Sequence, residues 1–329
     1  MRIAVDAMGG DHAPAAIVDG AVQASQEFGL DLLLVGREAQ VKPLLEKHDS
    51  TARRRIELVD APEVVEMHES PAQAVRRKKG ASLVVCADLV KSGTAAAMFS
   101  AGNTGAGMAV SLFKLGRITG IDRPAIAIIL PNRSGHTVLL DAGANVDVGP
   151  ECLAQYAVMG SIYAREVMGI ADPRVGLVNI GEEEGKGNEL VREAYGLLRG
   201  MPVHFIGNVE GPDLFNGRCD VAVCDGFTGN VILKVGEGVA EFVRDLIKEE
   251  MQGHPLLMIP AVMLKPAFKR IQRRTDYGER GGAPLLGVNG VCIIGHGKSN
   301  SAAVTNAIRS AGEAVRHGIV DKIREHVAR

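Results

Sequence analysis

The chain has 329 residues and a formal net charge of −2, from 37 basic and 39 acidic side chains; it is 46% hydrophobic but only 4% aromatic, with no Trp. That length buries a full core, the balanced charge excludes a global field that would gather nucleic acid, and Ala, Val, Leu, Ile and Met must fill the interior, as where helices sandwich parallel strands. The five cysteines (Cys86, Cys152, Cys219, Cys224, Cys292) lack C-x-x-C spacing, which argues against a disulfide framework or zinc knuckle and fits a reducing, cytoplasmic setting.

Strand-like runs alternate with helical patterns along the chain. The first, RIAVDAM (2–8), reaches Asp6 and the pair Gly9-Gly10 too soon to form the apolar region of a signal peptide. DLLLVG (31–36), IELVDA (56–61), AAAMFSAG (95–102), AIAIIL (125–130), TVLLDAG (137–143), RVGLVNIG (174–181), VHFIG (203–207), DVAVCDG (220–226) and VNGVCIIGHG (288–297) follow, most of them ending in Gly, Asp or Asn. Between them, Ser70-Pro71 opens one helix with Pro at its first position, and Leu83, Val84, Ala87 and Val90 mark another at helical spacing. The alternation predicts a single α/β domain over 1–329 with a largely parallel sheet. Residues 229–275 differ: a long helical pattern from Gly229 to Met251, a Gly-His-Pro interruption and an apolar, basic segment to Arg274 read as a projecting helical pair. Its run PLLMIPAVML (255–264) is too short for a bilayer span and is broken by Pro260.

In such sheets ligands bind beyond the carboxyl ends of the strands. Two turns there share Gly-x-Thr-Gly between strand and helix, SAGNTGAG (100–107) and CDGFTGNV (224–231), and each offers backbone N–H groups and a hydroxyl to an oxyanion. HGKSN (296–300) offers the same with an imidazole and an ammonium. Neither a G-x-x-x-x-G-K-[ST] loop nor a G-x-G-x-x-G fingerprint is present, so nucleotide binding is not supported. EEEGKGNE (182–189) poses a choice between a carboxylate metal site and a phosphate site on Lys186; successive glutamates cannot easily face one ion, and Lys186, between glycines and ahead of a helix, favours phosphate. His296, between two glycines at a strand end, is placed to polarise a carbonyl, whereas His12 suits a capping role as well as a ligand role. Cys224 and Cys86 read as buried, inert thiols.

Taken together, AVDAMGGDHAP (4–14), FSAGNTGA (99–106), LLDAGANVD (139–147), VNIGEEEGKGNEL (178–190), FIGNVEG (205–211), DVAVCDGFTGNVILK (220–234) and GAPLLGVNG with HGKSN (282–300) resemble the bacterial phosphate acyltransferase family over nearly the whole chain. The resemblance implies the isopropylmalate-dehydrogenase-like α/β architecture shared with phosphotransacetylases, a homodimer, and transfer of an acyl group from acyl-acyl-carrier protein to inorganic phosphate with no metal or other cofactor. It assigns Lys186 and the turns at Gly102, Asn103, Thr104 and Gly105 and at Thr228 and Gly229, with Ser299, to phosphate and acyl phosphate. Asn230 and His296 would donate to the carbonyl oxygen, with Asp225 orienting them. Arg76, Arg77, Lys78 and Lys79, or a second cluster including Lys265 and Lys269, would steer the acidic carrier. Leu256, Leu257, Ile259, Val262 and Leu264 would touch a membrane surface or a dimer partner, making the protein cytoplasmic or peripheral on the membrane. A coenzyme A donor, a metal-dependent dehydrogenase and a non-enzymatic acyl-binding protein are the rival readings.

Overall fold

The computed structural model describes residues 1–253, 267 and 281–327. Leu256, Leu257, Ile259, Val262, Leu264, Lys265 and Lys269, and with them the second arm of the expected helical pair, lie outside the described residues. The first arm is the helix Gly226–Gly253. No described helix is long and apolar enough to cross a membrane.

The strands form two sheets rather than the one expected. In chain order they are β1 (Arg2–Asp6), β2 (Asp31–Gly36), β3 (Ile56–Asp60), β4 (Ala97–Ser100), β5 (Ala125–Ile126), β6 (Ile128–Pro131), β7 (His136–Leu140), β8 (Arg174–Val178), β9 (His204–Val209), β10 (Val221–Val223), β11 (Ala283–Leu286) and β12 (Val291–Ile294). The first sheet runs β3-β2-β1-β4-β12-β11-β5 and the second β6-β7-β10-β8-β9. Within each, the central strands are parallel. Their sequences are short continuous apolar runs, as strands covered on both faces must be.

The run read as one strand, AIAIIL, is divided at Ala127 between the two sheets. Ile126 pairs with Leu285 of the first sheet, and Ile128 pairs with Leu139 of the second. Ala127 N–H donates to Pro284 O at 3.0 Å, and Ala142 N–H to Ile126 O at 2.9 Å, so both sheets hang on the same few residues. Strand β11, missed in the sequence, hides in GGAPLLG because Gly and Pro ordinarily break strands; its antiparallel pairs leave Pro284 opposite Ile293.

The strap fixes how the sheets face. β5 is antiparallel to β11, which is antiparallel to β12, so β5 runs with the parallel strands of the first sheet. β6 continues it but pairs antiparallel with β7, so the parallel strands of the second sheet run the opposite way. The carboxyl edges of the two sheets therefore point toward one another, with β7 ending beside the β5–β6 junction. One apolar cluster runs through both sheets, including Ile3, Val5, Val138 and Leu140, each fully buried, and Tyr156 and Tyr163 of the helix Pro150–Glu166.

Close approach at the second carboxyl edge demands glycine. A Cβ on Gly229 would lie 1.9 Å from Asp141 O, whereas one on Gly196, in the helix Glu189–Leu198, would meet nothing within 4 Å. Gly229→Ala should therefore destabilise the fold by about 3 kcal/mol through overpacking against backbone. Gly196→Ala should stabilise it by about 0.5–1 kcal/mol through helix propensity. Urea denaturation of the two variants against the parent checks the pair; equal effects would mean that the backbone approach at Gly229 is misjudged.

Candidate active site

On the first sheet, the loops after β1, β4 and β12, which are neighbouring strands, converge. Asp6 ends β1 and is 2% exposed. Its Oδ1 accepts from Met8 N–H at 3.1 Å and its Oδ2 from Ser100 Oγ at 2.6 Å; Ser100 Oγ in turn accepts from Gly102 N–H at 3.1 Å. A Cβ on Gly9 would stand 2.7 Å from both Asp6 Oδ2 and Gly102 N, which is why the loop reads Gly there. Asp11 N–H donates to Gly297 O at 2.8 Å, bringing in the third loop. His12 lends its carbonyl to Ala16 N–H at the start of the next helix.

Within this group the expected phosphate residues divide. Asn103 caps the helix Thr104–Val110: its Oδ1 accepts from Ala106 N–H at 3.0 Å, and its Nδ2 donates to Met67 O at 2.8 Å and Glu69 O at 3.3 Å. The side chain is occupied by structure. Gly102 N–H is held by Ser100, while Gly105 lies so close to Pro71 that a Cβ would fall 2.8 Å from its Cγ. Thr104 is exposed, and its amide and that of Gly105 open the helix, where N–H groups have no partner inside the helix itself. Ser299 closes its own turn, its N–H and Oγ both donating to His296 O, at 2.9 and 2.6 Å. His296 is exposed, and its Nδ1 accepts from Lys298 N–H at 3.2 Å, which in the neutral ring leaves the proton on Nε2.

On the second sheet, Asp141 plays the part of Asp6. Fully buried at the end of β7, its Oδ1 accepts from the N–H groups of Ile126 (3.1 Å), Gly143 (3.2 Å) and Ala144 (2.9 Å), and its Oδ2 from Asn145 N (2.7 Å) and Nδ2 (3.0 Å). The turn it shapes abuts the second Gly-x-Thr-Gly turn, Gly226 N–H donating to Asn145 O at 2.8 Å. Here the resemblance between the two turns misleads. Thr228 N–H and Oγ1 both donate to Asp225, at 2.9 and 2.7 Å, and Gly229 N–H to Asp225 O at 3.0 Å. Thr228 and Gly229 are thus committed, and Asp225 places a carboxylate where an anion would sit. Asp225 acts on Thr228 rather than on Asn230 or His296, which the expectation had it orient. Asn230 packs on Gly143, whose Cβ position is 3.4 Å from Asn230 Cβ. Cys224 lies beneath, and burial pushes its thiol, like that of Cys86, well above the ordinary range.

Two of the four glutamates of EEEGKGNE are paired with arginines. Glu182 pairs with Arg218, and Glu184 with Arg199 at 3.1 Å. Glu183 O accepts from Asn208 Nδ2 at 2.9 Å, and Lys186 O from Asn179 Nδ2 at 3.1 Å. Asn188 caps the following helix through Val191 N–H at 3.0 Å. Glu182 and Glu184 are thus paired away from Lys186, which is exposed and forms no ion pair among the described residues. The structure thus gathers Gly102, Asn103, Thr104, Gly105, His296 and Ser299 on one edge, and Lys186, Asp225, Thr228, Gly229 and Asn230 on the other.

Of the basic patch, Lys78 is turned inward, its Nζ donating to Glu69 at 2.6 Å and Val64 O at 2.7 Å. Arg76, Arg77 and Lys79 are exposed, and the Arg76 guanidinium stacks 5.2 Å from the Phe113 ring centroid. Sequence reasoning passed over Asp6 and Asp141. The signal was there: each is an Asp-Ala pair ending an apolar strand, with Gly143 next in one case and Gly9 one residue further on in the other.

This is the α/β architecture of phosphotransacylases and related dehydrogenases. A phosphotransacetylase from Streptococcus pyogenes superposes with TM-score 0.65 at 20% identity, covering 96% of this chain and 94% of its own. A putative 4-hydroxythreonine-4-phosphate dehydrogenase from Salmonella typhimurium does so with TM-score 0.53 at 16% identity, covering 95% and 98%. A family profile described as fatty acid synthesis protein matches residues 1–322. The phosphate acyltransferase of Heliobacterium modesticaldum is 57% identical over 99% of this chain and 98% of its own, and that of Pelotomaculum thermopropionicum 55% over 99% and 95%. The chain belongs to the phosphate acyltransferase family and is an acyltransferase.

Burial raises the pKa of Asp6, against the hydrogen bonds from Ser100 and the Met8 backbone that lower it. A carboxyl group with a raised folded pKa favours the fold while protonated, and that contribution is lost as pH rises through the folded value. Relative to Asp6→Asn, the parent should lose stability as pH climbs from the ordinary aspartate range through the raised one, with no further change above it. Urea melts of both proteins across that window test this; parallel pH profiles would place the burial cost elsewhere.

Proposed function

We propose that the protein transfers a long-chain acyl group from acyl-acyl-carrier protein to inorganic phosphate, giving acyl phosphate for phospholipid synthesis, in the cleft between the two carboxyl edges. The observation that carries this reading is that the two carboxyl edges point toward one another, with Lys186, which forms no ion pair among the described residues, on the loop after β8 at one edge and the Thr104 turn and His296 on loops at the other. Phosphate sits against Lys186, the Thr104 hydroxyl and the amides that open its helix. At neutral pH it is substantially dianionic, like phosphoryl groups whose second pKa is about 6, and attacks the thioester carbonyl without a strong base. The carbonyl oxygen gains charge as the C–O bond to phosphate forms, and the Asn230 amide and His296 Nε2–H donate to it. The tetrahedral species then expels the carrier's thiolate. Asn103, Asp225, Thr228, Gly229 and Ser299 hold the frame rather than the phosphate.

The acidic carrier docks on Arg76 and Arg77 of the helix Pro71–Arg77, packed beside the Thr104 turn, and on Lys79 just beyond it. The family relationship favours a carrier-protein donor over the coenzyme A donor that a phosphotransacetylase fold leaves open, since a basic patch would attract the phosphates of coenzyme A as well. The continuous apolar cluster through both sheets supports one domain over 1–329. The helix Gly226–Gly253 bears an exposed apolar stripe, Val231, Val235, Val239, Phe242 and Leu246 at helical spacing, which supports a homodimer built along it. We place the protein in the cytoplasm, with peripheral membrane contact through 255–268.

Thiol release from palmitoyl-acyl-carrier protein should require inorganic phosphate and survive EDTA. Lys186→Ala should cut kcat/KM about 10²–10³-fold, the scale of one lost charge-stabilising donor, with an unchanged melting temperature. Near-parental turnover would remove Lys186 from the reaction, and faster release from palmitoyl-coenzyme A than from the carrier would overturn the choice of donor. Separately, Val239→Asp with Phe242→Asp should convert a dimer to a monomer in sedimentation velocity, and an unchanged mass would place the dimer contact elsewhere.

A further inference from the structure

Three large apolar side chains stand exposed at the carboxyl edge of the second sheet: Val146, Ile180 and Phe227, at 67, 80 and 61%. They come from three different loops, after β7, β8 and β10, where β10 lies between the other two. Val223 is level with Leu140 on one side and Leu177 on the other. Ile180 stands two residues beyond the end of β8, the strand paired with β10. On the first side, Gly226 N–H is bonded to Asn145 O at 2.8 Å, so Phe227 and Val146 each follow directly from a bonded residue. Single exposed apolar side chains are ordinary, but three converging from separate loops mark a contact surface.

The reacting groups lie beside this rim. Asn230 follows Phe227 by three residues, within one helical turn, and packs on Gly143 of the loop that bears Val146. Lys186 folds its stem back onto Gly181, the residue after Ile180, its Cγ 3.3 Å from the Cβ position of that glycine. The first methylenes of an acyl chain leave from the carbonyl carbon itself, so wherever Asn230 holds the carbonyl oxygen, the chain departs across its immediate surroundings.

We propose that Val146, Ile180 and Phe227 form the surface on which the acyl chain of the donor lies, and so set the preference for chain length. The proposal rests on the acyl-transfer reading of this site. An apolar rim removes the methylenes from water, and each fully covered methylene favours the longer donor by about fourfold. An open rim gives only part of that, which suits a reaction whose product keeps the chain: acyl phosphate must peel off with every methylene still attached.

The test compares kcat/KM for palmitoyl- and butyryl-acyl-carrier protein at saturating phosphate in Val146→Ser, Ile180→Ser and Phe227→Ser, with the mass of each variant from sedimentation velocity. The carrier is common to both donors, so docking cancels in the ratio. Val146→Ser and Ile180→Ser should each lower the palmitoyl-to-butyryl ratio by about fivefold, with mass and melting temperature unaltered. Ratios within twofold of the parent in all three variants would overturn the proposal. So would a change confined to Phe227→Ser and accompanied by a change of mass, which would assign the rim to a second copy of the chain. No phosphate-dependent thiol release by the parent from either donor would instead defeat the acyl-transfer reading itself.

Discussion

The structure depends on a strap of a few residues and one buried carboxylate. Ile126 belongs to the first sheet, yet its N–H donates to Asp141 Oδ1 and its carbonyl accepts from Ala142 N–H, both at the end of the second. Strand polarity follows from that joint: a chain that passes straight from one sheet into another, and pairs antiparallel there, must turn the carboxyl edges of both toward one another. Helix N-termini, glycine turns and strand-end polar groups gather at carboxyl edges in any parallel sheet. Facing two such edges lets one small substrate meet donors from both sides.

Asp6 and Asp141 hold the two edges in the same way. Each is taken out of water at a strand end, and each is compensated by neighbouring N–H and hydroxyl donors rather than by a cation. Burial raises the pKa of both. The arrangement costs charge solvation, but it rigidifies loops that would otherwise be free, and a loop fixed before substrate arrives need not be ordered during the reaction.

Much of this was legible in the sequence, and the failures share one cause. Strand-helix alternation and strand-end glycines are local signals, so the α/β class and the placement of Lys186, Asn230 and His296 at carboxyl ends of strands could be read directly. Partners distant in the chain could not. Ala127 sits in an unbroken apolar run, and nothing local marks a strand changing sheets there. The turns at Thr104 and Thr228 share a spacing, yet Asp225 takes up the second hydroxyl while a corresponding acid is missing from the first, where Ala101 precedes Gly102. The glutamates around Lys186 read as one negative cluster because their arginines lie 15 and 36 residues away.

That last point bears on how a loop proposed to hold an anion tolerates so many carboxylates. Four glutamates, Glu182, Glu183, Glu184 and Glu189, lie within four residues of Lys186, and if all were unpaired they would oppose an approaching phosphate more strongly than one ammonium attracts it. Arg218 and Arg199 neutralise Glu182 and Glu184 from outside the loop, while Asn208 and Asn179 fix the backbone that carries Glu183 and Lys186. The glutamates thus act as anchors that tie a glycine-rich, intrinsically loose loop to the body of the second sheet. Lys186 itself forms no ion pair among the described residues, and the loop that carries it is held by the bonds of its neighbours.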